Sequence, residues 1–140
     1  MNPCVVDASV VAAAFFQEEC TDEARALLVS GRQLCAPDLI YPEVANAIWK
    51  RQRRGEINEE EAGQLLADFL KVPLSITPSN ALIAPALRLA IRTGRTAYDC
   101  LYIALALDQA CPLITGDRRL VNALARTPLA DRVRWVGRRK

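Results

Sequence analysis

Pro112-Leu113-Ile114-Thr115-Gly116-Asp117 is a short apolar run that ends on a carboxylate. Near the other end of the chain, Cys4-Val5-Val6-Asp7 has the same form. Such a run reads as a buried strand with an acid at its carboxyl end. If both strands lie in one parallel sheet, Asp7 and Asp117 share the edge where open α/β sheets place their ligands. The competing reading is that each acid only caps the helix that follows it.

Working outward, apolar runs predict strands near 3–6, 33–36, 72–76, 112–115 and 133–136. Helical patterns lie between them. Ala24, Leu27 and Leu28 share a face of a helix from Thr21 to Gly31. Ile40, Val44, Ala47 and Ile48 do so from about Leu39 to Arg54, where Gly55 stops the helix. Ala62, Leu65, Leu66, Phe69 and Leu70 keep the 3.6-residue period. A helix over Asn80–Thr93 contains Pro85, which predicts a kink or a later start. The segment from Ala97 to Ala110 is apolar nearly all round and reads as a buried helix. A short helix follows Asp117. Strands alternating with helices predict an α/β domain, a parallel sheet covered on both faces. Some crossovers hold two helices. The 140 residues fit a single domain, 1–140.

Composition narrows the chemistry. The chain is 51% hydrophobic and 24% charged, enough to build a core and too apolar for general disorder. A net charge of +2 does not by itself imply a nucleic-acid partner. Its distribution says more: Lys50, Arg51, Arg53 and Arg54 cluster, as do Arg88, Arg92 and Arg95, and Arg132, Arg134, Arg138, Arg139 and Lys140. The cysteines, Cys4, Cys20, Cys35, Cys100 and Cys111, are odd in number and form no CxxC, so they read as small buried residues in a reduced compartment. With no histidine, a Ser-His-Asp triad and a His-ligated zinc site are excluded. Val10 to Phe16 is a poor signal peptide and no stretch is long enough to span a bilayer, so the expected location is cytoplasmic.

Strand direction assigns more acids to the edge. Parallel strands end at the same edge, which places Asp7 and Asp117 together. A helix that directly follows a strand begins at that edge, so Glu43 is near it. A helix that directly precedes a strand ends at the opposite edge, so the helix at 97–110 starts at the shared one, with Asp99 in its first turn. Close carboxylates repel, and burial raises the cost. A hard divalent cation resolves the conflict, and all-oxygen ligation without His or Cys favours Mg2+ or Mn2+. Such an ion polarises a phosphodiester and lowers the pKa of a bound water, and no protein nucleophile is needed.

Each acid also has an ordinary role. Asp7 and Asp117 suit helix caps, Thr96-Ala97-Tyr98-Asp99 fits a capping box, and Glu43 suits a solvated helix face. Taken singly, those readings win; the joint placement reverses them. Asp38 lies near the same edge but reads as the N-cap after Pro37 and ranks below Glu43 as a ligand. Glu18, Glu19, Asp22, Glu23 and Glu59 to Glu61 read as surface or helix-start charge. Lys50 to Arg54 suit a helix C-terminus, or a sequence-nonspecific contact to phosphate. Ser9 and Thr115 suit a metal-bound water or a phosphate, or a bond to local backbone. Asn46, three residues after Glu43, suits a supporting role beside it.

These residues match a family pattern. Val5-Val6-Asp7-Ala8-Ser9, Pro37-Asp38-Leu39 with Glu43-Val44-Ala45-Asn46-Ala47, Tyr98-Asp99-Cys100-Leu101-Tyr102-Ile103-Ala104-Leu105-Ala106, and Leu113-Ile114-Thr115-Gly116-Asp117-Arg118-Arg119-Leu120 resemble the PIN-domain ribonucleases, and most closely their VapC-like toxins. The resemblance spans nearly the whole chain. It implies a three-layer α/β/α fold with a five-stranded parallel sheet. It implies metal ligation by Asp7, Glu43, Asp99 and Asp117, with Thr115 at a polar position of the acidic site and Asn46 as companion to the glutamate. It also implies RNA cleavage with Mg2+ or Mn2+, a homodimer and inhibition by a cognate antitoxin. Cys100 departs from the alanine common after the third acid.

The expected activity is therefore a metal-dependent endoribonuclease that leaves a 5′-phosphate and a 3′-hydroxyl. Two other classes compete. A noncatalytic RNA- or protein-binding domain would keep the fold without turnover. A phospho-receiver module would also gather aspartates on a sheet edge, but it needs a lysine ending a late strand, and Lys50, Lys71 and Lys140 do not fit.

Overall fold

The computed structural model describes residues 2–137. Arg138, Arg139 and Lys140, the end of the C-terminal basic cluster, lie outside the described residues. Five strands occur in the order β1 (Cys4–Val6), β2 (Leu34–Pro37), β3 (Ser75–Thr77), β4 (Leu113–Thr115) and β5 (Val133–Trp135). They form one sheet ordered β3-β2-β1-β4-β5. Every pairing is parallel, as the alternation of strands and helices predicts.

Among the described residues, seven α-helices connect the strands: α1 (Ala8–Phe15), α2 (Thr21–Leu28), α3 (Ile40–Arg53), α4 (Glu59–Leu70), α5 (Ile83–Thr93), α6 (Ala97–Asp108) and α7 (Arg118–Leu124). They complete a three-layer α/β/α architecture. Helix α6 lies against β1, β2 and β4, with α5 packed behind it; α1 lies against β4 and carries α2 and α3, and α4 packs on α3. The nearly all-round apolar character of α6 has its physical cause here. Residues Cys100 to Ala106 are all buried, between the sheet and α5. Val5, Val6, Ile103, Leu105 and Leu113 are fully buried in the same core.

Helix ends follow local chemistry. Gly55 adopts a left-handed φ of 79° and closes α3, with its N–H on the Gln52 carbonyl and that of Glu56 on Arg51. Asn58 and Glu61 form a reciprocal capping box at the start of α4, which accounts for part of the Glu59 to Glu61 charge. Pro85 sits in the first turn of α5, where a missing N–H leaves no intrahelical bond unmade. The later start, at Ile83, is the outcome, and a 3-10 turn over Ser79–Ala81 precedes it.

Two expectations need correction. The strand near 72–76 begins only at Ser75. Val72 and Leu74 are apolar because they pack on the core from the segment that leaves α4, not because they pair in the sheet. Asp38 is not the N-cap of α3, whose cap is Leu39 without a side-chain bond. Its carboxylate instead accepts from the Ser79 backbone N–H at 3.0 Å and from the Ser79 hydroxyl. It ties the end of β2 to the turn after β3.

Candidate active site

The sheet order sets the location. The chain leaves β1 toward β2 on one side and reaches β4 on the other, so the crevice between the ends of β1 and β4 is a topological switch point. Register then fixes the neighbours. Val6 is level with Ile114, which brings Asp7 beside Thr115. Thr115, fully buried, donates its hydroxyl proton to Asp7 Oδ2 at 2.6 Å.

Asp7 both caps α1 and lines the cavity described below. Its Oδ1 accepts from the backbone N–H groups of Ser9 at 3.1 Å and Val10 at 3.3 Å, starting α1, and from the Ser9 hydroxyl. Ser9 Oγ in turn accepts from Gly116 N–H at 2.7 Å, and Thr115 Oγ1 from Asp117 N–H at 3.0 Å. Both hydroxyl protons are thus directed at Asp7, and both oxygens hold the loop after β4. Of the two roles open to Ser9 and Thr115 in the sequence, bonding within the chain is the one the geometry displays. Gly116 permits the close approach: a Cβ there would lie 2.9 Å from the Ser9 carbonyl oxygen.

Glu43, in the first turn of α3, accepts from the Tyr102 hydroxyl at 2.6 Å. Tyr102 is buried on α6, one turn after Asp99. Thr96 caps α6 through Asp99 N–H at 3.1 Å. The Asp99 carboxylate does not close the expected capping box; it faces Arg95 Nη2 at 3.4 Å. Asp117 caps α7 by accepting from Arg119 N–H at 3.0 Å. The capping readings of Asp7 and Asp117 are therefore correct as far as they go.

All four acids nevertheless line one open cavity of about 600 Å³, together with Ser9, Asn46, Lys50, Tyr98 and Tyr102. Thr115 stands behind Asp7 and does not line it. Among the described residues, Asn46 makes no hydrogen bond to Glu43 and faces the cavity from the exposed side of α3.

The electrostatics run from acid to acid. Burial pushes the Asp7 carboxyl up to about 6; hydrogen bonds from Ser9, Thr115 and Val10 pull it down, and Glu43 pushes it further up. Glu43 is raised by burial, lowered by the Tyr102 hydroxyl and raised by Asp99. Asp99 is raised by burial, lowered by Arg95 and raised by Asp117. Burial and the adjacent Glu43 also push the Tyr102 phenol upward, so it stays a proton donor to the carboxylate. By contrast, all five cysteines are buried free thiols, with Cys4 pushed up to about 11 by burial. They pack; they do not attack.

This donor set fits a hard divalent cation: oxygens only, four carboxylates offset within the chain only by Arg95 on Asp99 and Arg119 on Asp117, and Asp7, Glu43 and Asp99 each raised by the next acid. Among the described residues, no three His, Cys, Asp or Glu side chains are gathered as a ready ligand sphere. Asp99 and Asp117 keep their side chains 32% and 38% exposed.

Tyr98, Tyr102 and Lys50 line the cavity without being candidates in the sequence. Tyr102 looked like one more apolar position of a buried helix; its separation of three from Asp99 was the available signal. Lys50 was absorbed into a basic cluster, although Glu43, Asn46 and Lys50 recur at intervals that share one helix face.

The sheet is parallel, and acids from four separated segments line one cavity at its switch point. The PIN domain family model matches residues 4–125. The chain is 38% identical over 121 residues to Ribonuclease VapC3 of Pyrobaculum aerophilum, covering 84% of this chain and 92% of that protein. The chain belongs to the PIN-domain family, and within it to the VapC type. Among solved structures, PAE2754 from Pyrobaculum aerophilum is similar with a TM-score of 0.69 at 26% identity, over 87% of this chain and 79% of that one. A toxin-antitoxin complex from Klebsiella pneumoniae has the same fold, with a TM-score of 0.58 at 17% identity, over 89% and 92% of the two chains. Membership in this family removes the phospho-receiver reading.

Proposed function

We propose that this protein is a Mg2+- or Mn2+-dependent endoribonuclease and the toxin of a toxin–antitoxin pair. One observation carries the reading. Asp7, Glu43, Asp99 and Asp117 come from four separate segments and line a single cavity at the sheet's switch point. The relative named Ribonuclease VapC3 supports RNA as the substrate. The fold shared with a toxin-antitoxin complex supports an antitoxin as the partner.

In this reading the four acids hold the cation, which supplies polarisation of the phosphodiester and an activated water. The chain supplies the rest. Ser9 and Thr115 fix the Asp7 carboxylate so that both oxygens keep one orientation. Tyr102 fixes Glu43. Asn46 offers an amide to the substrate on the open side of the cavity. For the homodimer, the supporting feature is α5, where Ile83, Leu87 and Ile91 recur every four residues and remain exposed. No helix among the described residues is long and apolar enough to cross a membrane, and five free thiols suit a reducing compartment; we place the protein in the cytoplasm.

The test is cleavage of RNA by purified protein in Mn2+, with a chelator control and with Asp99→Asn. Cleavage that needs the metal and is lost in the variant supports the reading. Equal cleavage by wild type and Asp99→Asn would reject it, as would tight RNA binding with no cleavage across varied substrates. That last outcome belongs to a noncatalytic binding domain.

A further inference from the structure

We propose that Lys50 binds the RNA phosphate adjacent to the one being cut and so sets the direction in which the strand leaves the site. The inference rests on the ribonuclease reading above. It begins with a charge imbalance. The cavity wall carries Asp7, Glu43, Asp99 and Asp117; among the described residues Lys50 is the only cation that lines it, while Arg95 and Arg119 pair with Asp99 and Asp117 from outside the lining. RNA brings further negative charge. A divalent ion offsets the acids where the scissile phosphate sits, but the neighbouring phosphate needs its own cation.

The rest of the basic cluster is otherwise engaged. Arg51 pairs with Glu18 at 2.6 Å and Glu56 at 3.0 Å, and its guanidinium lies over the Phe16 ring. Arg53 lies over Trp49, and Arg54 is 3.9 Å from Glu56. Among the described residues, Lys50 has no carboxylate within ion-pair distance. A helix C-terminus attracts cations in general, which explains the cluster but not why Lys50 alone turns to the acids.

Geometry supplies the direction. Glu43, Asn46, Ala47 and Lys50 all line the cavity, at spacings that put them on one face of α3. Seven residues of helix separate Glu43 from Lys50, about 10 Å along the axis. Lysine stems on a helix lean back toward its N-terminus, which shortens the reach. Lys50 therefore lies on the far side of Asn46 from Glu43 along α3. A strand leaving the acids toward the C-terminal end of α3 would bring its next phosphate to the ammonium.

The test compares Lys50→Ala, Lys50→Arg and Lys71→Ala, the last removing the same charge away from the cavity. Binding of a short fluorescein-labelled single-stranded RNA is read by anisotropy against salt, in chelator, and cleavage is read in Mn2+. Lys50→Ala is expected to lower the slope of log affinity against log salt by about 0.7 to 1. It should raise KM roughly three- to tenfold with little change in kcat. Lys50→Arg should restore both, and Lys71→Ala should leave both at wild-type values. A wild-type slope and KM in Lys50→Ala would overturn the inference while leaving the ribonuclease reading intact. So would a kcat loss of the same size, which would assign Lys50 to the reacting centre. Absence of RNA binding and cleavage by wild type would overturn both.

Discussion

Asp7→Asn should stabilise the metal-free protein at neutral pH. Asp7 is 8% exposed, and its carboxyl is pushed from the ordinary 3.8 up to about 6, chiefly by burial. Between those values the folded chain holds a proton that the unfolded chain has released. Its contribution to stability is therefore full below about pH 4 and is lost as pH rises through about 6. At about 1.4 kcal/mol per pH unit, the loss comes to about 3 kcal/mol. An asparagine carries no such charge and still accepts from Ser9 and Val10 N–H, but its amide nitrogen cannot accept the Thr115 hydroxyl proton, so the variant starts about 1 kcal/mol below wild type where Asp7 is protonated. The assay is urea denaturation in chelator across this window. The variant should gain on wild type by about 3 kcal/mol between about pH 4 and about pH 7.5. Added Mn2+ should narrow that gap: at a hundredfold excess over the wild-type Kd it stabilises wild type by about 2.7 kcal/mol and a variant that binds tenfold more weakly by only about 1.4 kcal/mol. Parallel stability curves for the two proteins would refute the assignment of a buried, uncompensated charge to Asp7.

Other substitutions probe the supports of the site. Gly116→Ala brings a Cβ within 2.9 Å of the Ser9 carbonyl oxygen; it should destabilise by about 1–3 kcal/mol in urea titrations and weaken Mn2+ binding. Tyr102→Phe removes the proton that lowers the Glu43 pKa. It should move the pH at which Mn2+ begins to bind upward, measured by calorimetry, with a stability loss of about 1 kcal/mol. Asn58→Ala breaks the capping box of α4; its thermal melt should report a loss of about 1 kcal/mol with cleavage unchanged.

The parts of this structure legible in the sequence are those where one physical signal dominates. Strands β1 and β4 are fully buried, so unbroken apolar runs mark them. Their direct connection to capped helices lets strand polarity alone gather Asp7, Asp99 and Asp117 on one edge. Glu43 followed from the same logic one helix later. What stayed hidden depends on side chains meeting across distance. Edge strand β3 pairs on one side only, and its residues are exposed or half-buried, so Val72 and Leu74 outweighed it. Asp38 has the composition of a cap, yet Ser79, 41 positions away, claims its carboxylate. The Tyr102–Glu43 bond spans 59 positions, and no local period announces it. Nor can periodicity tell which member of a basic cluster is unpaired. That requires knowing that Glu18 and Glu56 hold Arg51.

The central claim is that four acids form one cation site, and Mn2+ binding measures it without depending on the RNA. Titration followed by electron paramagnetic resonance should show Mn2+ bound by wild type. Asp7→Asn, Glu43→Gln, Asp99→Asn and Asp117→Asn should each weaken it by roughly tenfold or more. Wild-type Mn2+ affinity in two or more of these variants, or none in wild type, would contradict the account.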